Sequence, residues 1–272
     1  MHGTSRAAAA EGLQALNAAL TPRASAANVA DDLFAILSTL DANASLRRAL
    51  VDSSREGADR QALAERLFAG HVGKGAAGIV ATLSAQRWSQ DRDLTDTLES
   101  LAVQATLAGA ERAGHADAVE DELFRFERIV AGNNELRDTL AVRNTDVAGK
   151  ADLVTRLLQG KAAPETVRLA VQSVRHPRGR RIDQILRSYL HAAAARRNEL
   201  TAVVTTAVPL TEQQEARLRT ALENHYGKAV TVQPVIDPDV IGGIHVRLGD
   251  EVIDGTILHR LDDARRHLSG GH

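Results

Sequence analysis

From Ser5 to about Leu200 the apolar residues recur three and four apart. That spacing places them on one stripe of an α-helix. Leu33, Ile36, Leu37 and Leu40 mark one such face, and Leu123, Phe126 and Val130 mark another. Asn43 and Asn133 interrupt the pattern, and Ser45 or Asn134 is expected to cap the short helix that follows. Gly70 and Gly160 stand where a helix ends in a left-handed residue, and Pro164 suits a first helical turn. Long periodic runs predict helices over 94–113 and 182–197, with a leading helix over 5–20.

After Leu200 the period changes from 3.6 to 2. Thr201 to Val208 reads as a strand ended by Pro209, and Thr211 with Gln214 forms a capping box for a helix to about Tyr226. Gly227 breaks that helix. A second strand follows in "VTVQPVI", where Pro234 demands an edge or a bulge. Gly242-Gly243 lets the chain bend into a hairpin. There Ile244, Val246 and Leu248 point one way and His245 and Arg247 the other. Gly249-Asp250 is its two-residue turn, and Glu251 to Asp254 its return strand. Thr256 is expected to cap a last helix carrying Ile257, Leu258, Leu261 and Leu268 on one stripe.

The helical part contains a repeat. Residues 31–70 align with 121–160 without a gap at an offset of 90. Matching residues include Asp31/Asp121, Leu33/Leu123, Phe34/Phe124, Asn43/Asn133, Arg47/Arg137, Leu67/Leu157 and Gly70/Gly160. Composition explains paired leucines but not the paired Leu-Phe, Asn and terminal Gly. A looser match joins 87–101 to 175–189 after a two-residue shift. The expected class is therefore mainly α with a small α+β C-terminal domain: two repeated helical bundles, then a short sheet with covering helices. The expected boundaries are 1–112, 113–200 and 201–272, with the helix from Leu98 to Ala113 closing one copy and opening the next.

Composition narrows the function. The chain has 272 residues, 44% hydrophobic and only 3% aromatic, and a net charge of −2. That balance argues against a coat for nucleic acid or an anionic membrane. With no cysteine, a disulfide framework, a thiolate metal site and a Cys nucleophile are excluded. No apolar run is long enough to span a membrane and no signal peptide is evident, so a cytosolic chain is expected, joined to membranes only through a partner. "GHVGKGAAG" (70–78) lacks a phosphate loop's spacing, and the histidines lack metal-ligand spacing. No cofactor, metal or catalytic residue is expected. Arg175, Arg178, Arg180, Arg181 and Arg187 cluster in the second copy. The matching stretch of the first holds Asp91, Asp93, Asp96 and Glu99 beside Arg87 and Arg92. Such divergence suits two copies meeting different partners.

The ordered elements "TTAVPLTEQQEARLRTAL" and "DPDVIGGIHVRLGDEVIDGTILHRLDDARRHL" resemble the C-terminal region of the delta subunits of bacterial F-type ATP synthases. That family includes the mitochondrial oligomycin-sensitivity-conferring protein. The signature residues here are Gly242, Gly243, Gly249, Asp250, Asp254 and Gly255. Residues 115–200 are similar to the family's helical N-terminal domain, and the doubled bundle resembles delta subunits of some high-GC Gram-positive bacteria. The resemblance implies a non-catalytic stator on the cytoplasmic face of the membrane. Its bundles would take amphipathic N-terminal segments of alpha subunits, one per copy, in grooves between Ala-lined helices. Its C-terminal part would meet the b subunit of the stalk. Arg175, Arg178, Arg180, Arg181, Leu258, Leu261 and Leu268 are the candidate contact residues. A generic helical scaffold outside that family is the alternative.

Overall fold

The computed structural model describes residues 3–21, 24–141, 146–197, 199–226, 228–238, 240, 243–248 and 251–254. They form two compact units, 1–194 and 195–272.

The first unit is helical. Its elements are α1 (Gly3–Ala19), α2 (Ala26–Ala42), α3 (Ala44–Val51), α4 (Gly57–Phe68), α5 (Lys74–Ala85), α6 (Asp91–Arg112), α7 (Ala116–Gly132), α8 (Asn134–Ala141), α9 (Val147–Leu158), α10 (Pro164–Arg175) and α11 (Ile182–Arg197). The repeat is legible in these bounds. Helices α2 to α5 begin at 26, 44, 57 and 74, and α7 to α10 begin 90 residues later, each with the same length as its counterpart. Gly70 and Gly160 follow α4 and α9 with φ of +76° and +74°, a conformation that glycine adopts without a Cβ penalty.

One device recurs at a pair that differs in identity. Asp32 on α2 accepts the backbone N–H of Gly73 at 2.9 Å, at the start of α5. Its counterpart Glu122 on α7 accepts the N–H of Ala163 at 2.8 Å and the Thr166 hydroxyl at 2.6 Å, at the start of α10. In each copy a carboxylate thus satisfies orphan donors at a helix N-terminus.

Two expectations need correction. The short helices are preceded by Asn43 and Asn133, not capped by Ser45 or Asn134. The Asn133 side chain accepts from Leu136 N at 2.9 Å, whereas the Asn43 amide donates back to Thr39 O at 2.9 Å. The final helices begin at 91 and 182, so the offset there is 91 and not the 88 suggested by sequence. The two alignments differ by three residues, close to one turn, and therefore place the same apolar face inward.

The two copies share one core. A continuous cluster runs from Leu16 to Ala193, with Leu33, Ile36, Leu37, Leu40, Leu123, Phe126 and Val130 all buried in it. The shared helix is α6. Shifted by 90 residues, α1 falls on 93–109, inside α6, and α6 packs on α2 and α1 as well as on α7 and α10. Small residues allow the close approach of α1 to α5 and α6. A Cβ on Gly12 would lie 2.6 Å from Leu83 Cδ2.

The second unit holds β1 (Glu199–Thr206), α12 (Glu212–Tyr226), β2 (Ala229–Ile236), β3 (Ile244–Leu248) and β4 (Glu251–Asp254). The sheet order is β2-β1-β3-β4, parallel between β1 and β2 and antiparallel elsewhere. Pro234 lies on β2, an edge strand, as its missing N–H requires. Thr211 and Gln214 cap α12 reciprocally, with Thr211 N donating to Gln214 Oε1 at 2.9 Å and Gln214 N to Thr211 Oγ1 at 3.3 Å. Ala202, Val204, Val230, Val232, Val246, Leu248 and Leu222 of α12 form the core.

Candidate partner-binding site

The loop from α10 to α11, residues 176–181, carries most of the arginine cluster. Its path is tight. Arg178 has φ +42° and is the one non-glycine residue with positive φ among those described. Gly179 follows at +80°, and Arg180 N donates to Pro177 O at 2.8 Å. A left-handed non-glycine residue persists only where its surroundings fix it.

Those surroundings are carboxylates of the first copy. The Arg178 guanidinium lies 3.1 Å from Asp96 and 4.0 Å from Asp41, and it contacts Glu99. Arg180 donates to both Glu99 oxygens, at 2.7 and 2.6 Å. The Tyr189 hydroxyl on α11 donates to Glu99 Oε1 at 2.9 Å. His176 stands 3.5 Å from Asp41. Glu99 is buried, and its charge is tolerated because the Arg180 and Tyr189 donors and the Arg178 cation surround it. Burial lowers the pKa of Arg178, an effect opposed by Asp96 and Asp41.

Asp96 and Glu99 of the first copy therefore meet Arg178 and Arg180 of the second across a seam within one unit, while Asp91 pairs with Arg47 and Asp93 accepts from Ser5 inside the first copy. Arg178 and Arg180 are engaged there. Arg175 is exposed at the end of α10. Arg181 is exposed and pairs with Asp183 at 3.1 Å, while Arg187 pairs with Glu127 at 3.1 Å. Of the C-terminal signature, Gly243 has φ +96°, and Asp254 ends β4 opposite His245. Gly242, Gly249, Asp250, Gly255, Leu258, Leu261 and Leu268 lie outside the described residues, as does the helix expected after Thr256.

Burial pushes the Tyr189 hydroxyl up to about 12 from an ordinary 10.0. The proton is held more tightly in the folded chain than in the unfolded one. This contribution to stability is complete below about pH 10 and is lost as pH rises towards 12. Thermal unfolding across that alkaline window is expected to show a steep fall for the native chain. Tyr189→Phe should flatten that fall, and an unchanged slope would exclude Tyr189 as its source.

The seam also shows a helix seated between two others. α2 packs along α6 and is pinned beside α10 by Arg168, whose guanidinium donates to Asp31 at 2.6 and 3.1 Å. The corresponding pair in the first copy is α1 and α5, and no other described helix is seated along it as α2 is along α6. Leu13 on α1 is 41% exposed, whereas its counterpart Val103 on α6 is 2% exposed. A Cβ on Gly78, the counterpart of Arg168, would meet nothing within 4 Å. The outer face of the α1–α5 pair thus lies open among the described residues, with Leu13, Arg6 and Lys74 exposed on it. Sequence reasoning missed Leu13 because one leucine in an Ala-rich helix carries no sign of which face the bundle leaves bare.

A family profile described as ATP synthase delta (OSCP) subunit matches residues 103–268. The chain belongs to this family. The ATP synthase subunit delta of Kineococcus radiotolerans is 45% identical over 269 residues, covering 98% of each chain. That of Streptomyces griseus is 44% identical over 272 residues, covering 99% of this chain and 100% of the relative. That of Acidothermus cellulolyticus is 48% identical over 241 residues, covering 89% and 88%. Membership makes the chain a structural subunit of the ATP synthase complex: a stator of the peripheral stalk, which keeps the catalytic head from turning with the rotor. The alternative, a scaffold outside the family, finds no support. The family profile begins inside α6, so it spans the second copy and the C-terminal unit, while the first copy is matched by the full-length relatives. Among the described residues no helix is long and apolar enough to cross a membrane, which fits a peripheral position.

Proposed function

We propose that the groove between α1 and α5 holds an amphipathic N-terminal segment of an alpha subunit, and that the C-terminal unit meets the b subunit of the stalk on the cytoplasmic face of the membrane. The chain performs no turnover. Its work is adhesion between head and stalk. The observation that carries this reading is α2, an amphipathic helix of this same chain packed along α6 and ion-paired to α10 through Asp31 and Arg168, where α6 and α10 are the counterparts of α1 and α5. An apolar groove with polar edges binds a helix through anchors at i, i+3, i+4 and i+7. In the second copy that place is filled from within, so one alpha segment per bundle, each in this groove, does not follow from the repeat. Arg6 and Lys74 along the open groove favour a helix with carboxylates on its flanks. A single peptide contact of this kind is weak, and the second attachment within the assembly raises its effective concentration.

The test uses the full chain, because the two copies share a core. A synthetic alpha N-terminal peptide titrated into the chain should bind, and Leu13→Asp should weaken it roughly tenfold, about 1.4 kcal/mol. Leu13 is exposed, so unfolding temperature should stay unchanged. Equal binding by both proteins would remove the groove from the mechanism.

A further inference from the structure

The face of α2 that meets the second copy has a counterpart on α7 that no described residue covers. On α2, Asp31, Phe34 and Asp41 lie on one side at helical spacing. Asp31 is held by Arg168 at 2.6 Å and Asp41 by His176 at 3.5 Å, and Phe34 between them is 3% exposed. The partners rise in number together, so α10 runs parallel to α2. On α7 the corresponding Asp121, Phe124 and Ala131 are all exposed, and Phe124 is 53% exposed. The chain has no third copy to supply the next α10, since β1 follows α11. Stacked repeats bury a face only against a neighbour, so the last repeat keeps an open one unless capping residues replace it. Here the phenylalanine is retained and not replaced by a polar cap.

We propose that this stripe of α7 is a second docking surface, for one amphipathic helix of another subunit of the same assembly, lying parallel to α7 as α10 lies along α2. The residues that differ between the copies state the partner's chemistry. Asp121 already has Arg125 at 2.5 Å on its own helix, where α2 has Ala35, so the partner need bring no cation. Arg128 stands exposed where α2 has Ser38. The partner helix therefore carries small or aliphatic side chains over Phe124 and a carboxylate opposite Arg128, towards its C-terminal half. A second copy of this chain is disfavoured. The element it would bring is α5, which has Gly78 in place of Arg168 and no acidic residue from Lys74 to Ala85. This inference rests on the stator role, and its surface is separate from the α1–α5 groove.

The experiment places the photoreactive residue benzoylphenylalanine at position 124, 34 or 13 of the full chain in purified, assembled synthase. Position 34 should give an adduct within its own chain, on α10 or α6. Position 124 should give an adduct with a helical segment of another subunit that carries a carboxylate within two turns. Position 13 reads the α1–α5 groove separately, so failure of that groove and failure of this stripe are distinguishable. Phe124→Asp should leave the unfolding temperature unchanged and weaken retention of the subunit on salt-washed heads roughly tenfold. An adduct at 124 with lipid, with its own chain or with a second copy, no adduct at all, or unaltered retention of Phe124→Asp would overturn the proposal.

Discussion

Glu99→Gln is expected to destabilise the helical unit by about 3 kcal/mol, the cost of leaving a buried cation without its counter-charge. For a unit of this size that lowers the unfolding temperature by roughly 6–12 °C. The reason lies in what Glu99 holds. Arg180 and the Tyr189 hydroxyl donate to it at 2.6–2.9 Å, and Arg178 contacts it from a loop in a left-handed conformation. Asp96 and Asp41 remain near Arg178, but Asp96 is half exposed and Asp41 is at 4.0 Å. The double variant Glu99→Gln with Arg178→Met removes the buried cation as well as the carboxylate. It should recover a substantial part of the loss, because a neutral apolar pair replaces a broken ionic one. Losses that simply add would show that the two residues act independently. The functional consequence concerns rigidity. A stator that resists torque transmits displacement through its softest joint, and this seam is the polar joint between the two copies.

Much of this was legible beforehand. Helix bounds followed from caps and period, and both left-handed glycines, Pro164, the capping box at Thr211 and the edge position of Pro234 follow from backbone chemistry that acts locally. The repeat was legible because register was kept for 40 residues. The seam was not. Arg178 and Glu99 are 79 positions apart, and a charge has no periodicity that reveals its partner. The acids of the first copy and the arginines of the second were both visible as local excesses. Only the packing of α10 and its loop beside α2 and α6 brings parts of the two excesses into one paired network. The open groove was hidden for a related reason: Leu13 and Val103 occupy equivalent places on equivalent helices, and their exposures differ because α2 covers one of them.

Arg60→Met is expected to cost about 3–4 kcal/mol, more than a surface arginine contributes, because it leaves one buried and four partly buried carbonyls without this donor. Arg60 shares a face of α4 with Ala64 and Phe68, at core spacing, and all three are buried. Its guanidinium has no carboxylate among its five acceptors. Nε donates to Ser84 O at 2.8 Å, Nη1 to Asp52 O at 3.1 Å and Arg55 O at 2.5 Å, and Nη2 to Ala85 O at 2.9 Å and Gln86 O at 3.0 Å. Three of these are the last carbonyls of α5 and its cap, where a cation also meets the negative end of the helix dipole. The other two belong to the connection from α3 to α4. One side chain thus ties a loop to a helix end, and it does so beside Gly57, where a Cβ would lie 2.7 Å from Ala85 O. Arg60→Lys should lose roughly half as much, since one ammonium cannot reach acceptors spread across a planar fork. The second copy has Lys150 at this place, so the planar guanidinium fork is not repeated there. Urea unfolding of the three proteins measures the series directly. If Arg60→Lys matched the native chain, the fork would not matter; if Arg60→Met did, the carbonyls would be finding water, and the buried guanidinium would be dispensable to the fold.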